Sequence, residues 1–481
     1  MVGKITNIAK NTSYFTVALI IQKVISFSYF TIYARELGPE DLGKFYFAIS
    51  FATIFAVIMD IGLANVLIRE VAKTPERASS LLRNILGIKI PLAILSWLII
   101  ILCSHLLGYD GIIKDLIYIS SLCVILDSFT TVFFSSIRGF HNLKYESISS
   151  IGFSLVILIS SLIVIQLNLG LVWLMYTLLI ASLLNFLFSA IVNVVKFKVN
   201  IFPTWNSVMV KKLFVITIPF ALYIIFQKAY TSMDTILLKE LSGDTAVGLY
   251  QIPFKIVMAL QFLPAAFIAS VYPAMSSYWK DNHEQLLITF ERSINYLIII
   301  ALPITVGVIV LADKIMLLFQ SEHSYSEALL PVQMVMIALF FMFLATPVGA
   351  LLNACDRQKK NTLNMLWTAI FSIILNIILI PQYGVLGASI TLVLSSALLL
   401  LLGWRYVKGI INYRPMKIIV VFCKSAISAI IMTILVLILK PVLNIFIIVP
   451  IAGAIYFLAL FMFKGFQKDD LYSIVKSFRR R

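Results

Sequence analysis

Apolar residues run along the chain in stretches of roughly 20 to 28, parted by short turns rich in Gly, Asn and charged side chains. At about 1.5 Å per residue, each stretch is long enough to cross a hydrocarbon layer of roughly 30 Å as a helix. Barrel strands would alternate polar and apolar at every second position, and these runs do not. The pattern predicts an all-α integral membrane protein with fourteen transmembrane helices. Spans 1 and 2 fall near residues 11–34 and 42–66, spans 3 and 4 near 82–107 and 112–137, and spans 5 and 6 hinge at Asn168-Leu169-Gly170. The polar segment from Lys196 to Lys212, with Pro203 inside it, reads as a connector. Beyond it span 9 begins near Ser293, a longer loop from Asp313 to Glu327 leads into span 10, and spans 11 and 12 flank Pro381-Gln382-Tyr383-Gly384.

One stretch occurs twice. Gln22-Lys23 answers to Gln227-Lys228, Arg35-Glu36-Leu37 to Lys239-Glu240-Leu241, and Gly43-Lys44-Phe45 to Gly248-Leu249-Tyr250. The copies stand about 205 positions apart, and an internal repeat of this kind is a transporter architecture. The expected organisation is an N-terminal bundle at 1–198 (spans 1–6) and a C-terminal bundle at 199–410 (spans 7–12), two six-helix bundles related by a pseudo-two-fold. Two appended spans at 411–463 have no partner in the repeat, and a basic cytoplasmic tail occupies 464–481. In that tail Leu471, Ile474, Val475 and Phe478 recur at helical spacing, which suits either the inner leaflet or a solvated end.

Composition agrees with burial in lipid: of 481 residues 61% are hydrophobic and 12% charged. A mean hydropathy of +1.01 is far outside the range of soluble domains. The formal charge of +16 does not call for nucleic acid. With the N-terminus in the cytoplasm, roughly 26 Lys and Arg fall in inner segments, about 6 in outer loops and about 6 within spans, as the positive-inside rule requires. Both termini are therefore expected in the cytoplasm of a cell-membrane protein, with 38–41, 108–111 and 242–244 outside. Cys103, Cys123, Cys355 and Cys423 show no CxxC spacing and indicate neither disulfides nor a metal site. The first apolar run is too long for a signal-peptide core and is expected to remain as a span.

The segment Ala34-Arg35-Glu36-Leu37-Gly38-Pro39-Glu40-Asp41-Leu42-Gly43-Lys44-Phe45-Tyr46-Phe47-Ala48 resembles the signature of the oligosaccharide flippase family, the Wzx-type polysaccharide transporters of the multidrug, oligosaccharidyl-lipid and polysaccharide exporter superfamily. Similar words are Asp60-Ile61-Gly62-Leu63-Ala64-Asn65 with Ile68-Arg69-Glu70, Tyr272-Pro273, Asp356-Arg357-Gln358-Lys359, and Leu375-Asn376 with Ile380-Pro381-Gln382-Tyr383-Gly384. Any one word is weak, and the set spans roughly residues 5 to 410. The resemblance implies two bundles in a V that open alternately to either side, two extra helices, and movement of lipid-linked sugars to the outer leaflet. It also implies lipid-linked oligosaccharide and membrane lipids as partners, with a polysaccharide polymerase and other assembly proteins beside them. Fourteen spans match the lipid-exporting members better than the twelve-span drug exporters.

Charges inside the spans carry the candidate chemistry. Lys23 lies about eleven residues from either end of span 1, roughly 15 Å from both interfaces and beyond the reach of a snorkelling side chain. Each such lysine costs about 2.5 to 3.5 kcal/mol on insertion scales, so the matched pair Lys23 and Lys228 is expected to face a cavity. Gln22 and Gln227 sit beside them, Thr231, Ser232 and Thr235 share a face with Lys228, and Lys255 lies about nine residues into span 8. Two or three ammonium groups in a wet cavity suit a diphosphate head group, and these five residues, Lys23, Lys228, Lys255, Gln22 and Gln227, are the substrate-binding candidates. The competing reading buries the lysines in ion pairs with Asp127 or Asp234.

Tyr29, Tyr33, Tyr230 and Tyr250 could stack on sugars or serve as interfacial anchors. Asp60, Asp127 and Asp234 are candidates for H⁺ or Na⁺ coupling, each with a structural salt bridge as the alternative. Lys89 and Lys424 lie about seven residues inside their spans and are expected to snorkel. No cofactor is indicated, the four His are scattered, and neither a P-loop nor a G-x-S-x-G motif occurs, so an enzyme is not expected. The rivals are a multidrug exporter and a membrane-bound polysaccharide polymerase or ligase.

Overall fold

The structure, a computed structural model, describes residues 2–320 and 323–465. Among the described residues it holds fourteen α-helices, three short 3-10 turns and no strand. The first six helices are α1 (Val2–Met59), α2 (Leu63–Lys73), α3 (Ala78–Leu106), α4 (Gly111–Gly139), α5 (Lys144–Gln166) and α6 (Leu171–Val195). They are followed by α7 (Ser207–Leu260), α8 (Phe262–Asp281), α9 (His283–Val310) and the short α10 (Ala312–Met316). The last four are α11 (Leu329–Ala354), α12 (Gln358–Trp404), α13 (Pro415–Leu439) and α14 (Ile445–Met462). Eleven helical segments among the described residues are long and apolar enough to cross a membrane. Three of them, containing α1, α7 with α8, and α12, are broken by Gly38, Gly243 and Gly384 at φ of 71°, 84° and 53°. These three cross twice and the other eight once, which makes fourteen passes. With ψ near 180°, Gly38 and Gly243 occupy a region open essentially to glycine alone, and Pro39 starts the next helix at the position where its missing N–H costs nothing.

Several helix limits differ from those expected. The second pass ends at Met59 rather than near residue 66, because Gly62 at φ 83° breaks the chain before α2. That helix is amphipathic, burying Leu63, Val66, Leu67 and Val71. Its Glu70 carboxyl, drawn upward by partial burial, is pulled below its ordinary range by Arg69 and Lys73. Helix α3 starts at Ala78, and α9 at His283, capped by Asn282 Oδ1 accepting from the Gln285 N–H at 3.0 Å. The predicted basic tail lies, past Gly465, outside the described residues.

The chain divides into two compact units, one holding everything up to Gln251 together with Ile373–Val385, the other Ile252–Gln320, Tyr325–Ser372 and the chain from Leu386. In the first unit Leu67, Leu82, Ile85, Val132 and Phe133 form a buried core. Small and polar side chains clip helix to helix: Ser96 Oγ donates to the Phe55 carbonyl at 2.8 Å, Ser120 Oγ to that of Ala48 at 3.0 Å, and Asn193 Nδ2 to that of Phe133 at 3.0 Å. Ile94, Leu98, Leu102 and Leu106 of α3 face outward in one stripe, the face for lipid. The connector after α6 is fastened to the start of α3: Thr204 N–H donates to the Arg83 carbonyl at 3.1 Å, Arg83 Nε to that of Phe202 at 2.9 Å, and Asn206 N–H to Asn84 Oδ1 at 2.8 Å.

The repeat is present as geometry within this unit. A β-carbon placed on Gly43 would stand 1.9 Å from the carbonyl oxygen of Asp244, and one on Gly248 would stand 1.8 Å from that of Pro39. Gly248 is the repeat counterpart of Gly43, and Asp244 of Pro39, so each copy offers the same glycine and the same carbonyl to the other. This is an isologous contact, the signature of a two-fold relation.

In the second unit Leu286, Phe290, Ile294, Ile298 and Leu302 repeat at i+4 along α9 and pack with Val348 and Leu351 of α11. The appended helices dock on α9 through Met432, Val436, Ile448 and Tyr456, whose Oη donates to the Ile299 carbonyl at 2.9 Å. Lys440 adds a bond to the Val310 carbonyl at 2.8 Å and an ion pair with Asp313 at 2.7 Å. Burial alone would raise the Asp313 carboxyl; Lys440 overrides it and holds the group below its ordinary range.

Candidate functional site

Within the first unit a cavity of about 220 Å³ brings three intramembrane charges together: Asp60 at the end of the second pass, Asp127 of α4 and Lys228 of α7. Thr53, Ser128 and Thr131 add hydroxyls to its wall. Among the described residues no ion pair joins Lys228 to an acid, so the ammonium faces the cavity without a carboxylate in contact. The volume is below the roughly 300 Å³ at which small-molecule sites begin, enough for a phosphate group or a hydrated cation. Two carboxylates and one ammonium around such a space can exchange a proton or small cation, and Lys228 can donate to an anionic oxygen.

Behind this wall stands Lys89 of α3, fully buried, with its Nζ 3.6 Å from Asp60 Oδ1. The expectation that Lys89 snorkels is thus corrected. Lys89 lies on the buried face of α3 with Ile85, Ala93 and Ser96, so its side chain turns toward Asp60 and not along the helix to water. At this distance the attraction is on the order of 4 to 5 kcal/mol at an effective dielectric of about 20, offset by several kcal/mol of desolvation per ion. Removing one partner strands the other: Lys89→Met is expected to lower the amount of folded protein sharply, and Asp60→Asn in the same chain to restore it, measured by membrane abundance and thermal unfolding. Unchanged abundance of the single variant would mean that the pair contributes nothing. Lys424, in contrast, reaches the helix end, donating to the Lys464 carbonyl at 3.0 Å.

Lys23 is half-buried on α1 beside half-buried Gln22 and does not line the Lys228 cavity; Gln227 is exposed. Lys255 belongs to the second unit. Asp234 is buried and held by Tyr250 Oη at 3.0 Å and Asn376 Nδ2 at 2.7 Å. Tyr33, Tyr230 and Tyr250 are buried, which removes them as sugar-stacking faces in this structure. Tyr33 Oη bonds Ser161 Oγ at 2.5 Å, and Tyr29 accepts from Ser26 Oγ at 3.0 Å.

The profile of the polysaccharide biosynthesis protein family matches residues 8–279, more than half of the chain and both copies of the repeat. The chain belongs to that family. A second profile, MatE, matches residues 219–381. An uncharacterized membrane protein of Methanocaldococcus jannaschii is 24% identical, covering 97% of this chain and 98% of its own. A probable low-salt glycan biosynthesis flippase of Haloferax volcanii is 20% identical over 85% of each. Among solved structures, the lipid II flippase MurJ in an inward closed conformation superposes with a TM-score of 0.75 at 17% identity, covering 95% of this chain and 99% of that one.

For this polysaccharide biosynthesis family member, sequence reasoning found Asp60, Asp127 and Lys228 but missed that they share one cavity. It also missed the partners Lys89 and Asn376. Depth along a helix is readable from hydropathy; the direction a side chain takes around the helix is not. Asn376 had a signal, its place within an apolar run, where an amide side chain needs a partner.

Proposed function

We propose that the protein is a secondary transporter, a flippase that moves a polyprenyl-diphosphate-linked oligosaccharide from the inner to the outer leaflet of the cell membrane for assembly of surface polysaccharide or glycan. The observation that carries this reading is the family match across both repeat copies, on a chain whose charges gather inside the membrane-spanning region. The relative from Haloferax volcanii, named as a glycan biosynthesis flippase, supports the substrate class. In this reading Lys23, Lys228 and Lys255, with Gln22 and Gln227, take the diphosphate as point charges and amide donors. Asp60, Asp127 and Asp234 are the sites where H⁺ or Na⁺ would couple to the movement. The six-span bundles occupy 1–198 and 199–410, alternate in access, and work beside a polysaccharide polymerase and other assembly proteins; the protein itself is no enzyme.

The test is deletion followed by analysis of lipid-linked intermediates by leaflet. Complete oligosaccharide units stranded on the inner leaflet are expected; units exported but not polymerised would identify a polymerase instead. The MatE match over 219–381 favours a second reading, a multidrug exporter, which predicts drug sensitivity on deletion with normal glycan. In the flippase reading both termini lie in the cytoplasm, as the Lys and Arg bias requires. Single cysteines at Glu40, Asp110 and Ser242, in a chain lacking its four native ones, should react with an impermeant thiol reagent added to whole cells. Protection there with labelling at Lys359 would invert the topology.

A further inference from the structure

A second cavity, of about 560 Å³, opens in the other unit between α9, the start of α13 and the end of α14. Four cationic side chains line it, Arg292, Lys417, Lys424 and Lys464, against one acid, Glu291. That acid is already engaged: it accepts the Arg414 N–H at 2.9 Å, and its other oxygen lies 3.5 Å from Lys417 Nζ. The cavity therefore keeps a clear excess of positive charge. Asn295 Oδ1 on its wall is buried without a hydrogen-bond partner among the described residues. The rest of the wall is mainly apolar, with Ile299, Val420 and Val421 beside Tyr296, and α13 carries exposed Met416, Ile419 and Phe422.

A cluster of cations beside an apolar wall suits a ligand that is anionic at one end and greasy at the other. A soluble anion would leave the apolar wall unused, and an apolar ligand would leave the excess charge unbalanced. We propose that this cavity binds the phosphate-bearing head group of an anionic bilayer phospholipid, with Arg292 and Lys417 on the phosphate and the first part of the acyl chains along Val420 and Val421. Arg292 offers a planar fork of donors and Lys417 a point charge, the two ways side chains hold phosphate oxygens. Lys424, whose Nζ already donates to the Lys464 carbonyl, ties α13 to the end of α14 and closes one side. This site is separate from the Lys228 cavity, and the appended helices gain by it a role in anchoring the lipid around α9.

The experiment is binding of phosphatidylglycerol to the full chain purified in neutral detergent, with phosphatidylcholine as the zwitterionic control. Saturable binding is expected about tenfold or more tighter than the control, weakened severalfold as salt rises from roughly 0.05 to 0.5 M. The double variant Arg292→Gln with Lys417→Gln should bring the affinity down to that of the control, while Arg292→Lys with Lys417→Arg keeps most of it. Equal affinity for the two lipids, or full affinity in the double glutamine variant, overturns the proposal. Should that variant fail to fold, binding by the native chain that ignores salt overturns it as well. Glycerol phosphate that competes as well as the lipid would assign the cavity to a free phosphate ester, and polyprenyl diphosphate that competes better would assign it to the transport route; either result overturns the bilayer-lipid assignment. A failure of the flippase reading leaves this binding untouched, since no step of it uses transport.

Discussion

Alanine at Gly43 or at Gly248 is expected to destabilise the purified protein by about 3 kcal/mol and to abolish export, each to a similar extent. The added methyl group would stand less than 2 Å from a backbone carbonyl oxygen, Asp244 in one case and Pro39 in the other. No rotamer can relieve that overlap, because the obstructing atom is main chain, so the two helix starts must move apart. Reciprocity makes the prediction sharper than an ordinary glycine argument. The contact is made twice by equivalent residues, and the two substitutions should therefore match. Gly152→Ala is the control: its β-carbon meets nothing within 4 Å, and in a helix interior it should be neutral or stabilising by up to about 1 kcal/mol. Chemical unfolding in mixed micelles and export in a deletion strain give the two readouts. Full export and unaltered unfolding in both the Gly43 and Gly248 variants would remove the close contact from the working protein.

Much of this fold was legible because the bilayer imposes one length on every pass. Apolar runs of about 20 residues have no other economical use, and the turn residues Gly38, Gly243 and Gly384 sit between paired runs where the backbone requires positive φ. The helix limits were less legible for a physical reason. Hydropathy changes where hydrocarbon ends, whereas backbone hydrogen bonding continues into the interface, so α9 starts at His283 although its apolar stretch starts near Ser293. At α3 it was the direction Lys89 takes around the helix, toward Asp60, that hydropathy did not show. The tyrosines failed differently. An apolar ring with a polar tip serves an interface, a sugar face or a buried hydrogen bond equally well, and only packing shows that Tyr250 spends its hydroxyl on Asp234.

Lys228→Ala is expected to abolish export while membrane abundance stays near normal, because removing a charge from within a span relieves an insertion cost of about 3 kcal/mol. The structure specifies what the competing explanation must now be. Lys228 makes no ion pair among the described residues, yet it shares its cavity with Asp60 and Asp127, and Asp60 already faces Lys89. If the ammonium serves only to balance these carboxylates, its loss leaves Asp127 facing a cavity with no cation of its own. Lys228→Ala with Asp127→Asn should then recover both abundance and export. If the ammonium holds a diphosphate, neutralising Asp127 cannot replace it, and the double variant stays inactive. Lys228→Arg should recover part of the activity, since it keeps the charge and binds phosphate, though its bulk reshapes a cavity of only about 220 Å³. Lys23→Ala, from the equivalent position in the first copy, should behave as Lys228→Ala does if both lysines take the substrate. Recovery of export in the Lys228→Ala, Asp127→Asn chain would end the substrate-binding role, because a residue whose absence is cured by deleting a neighbouring charge was acting on that charge alone.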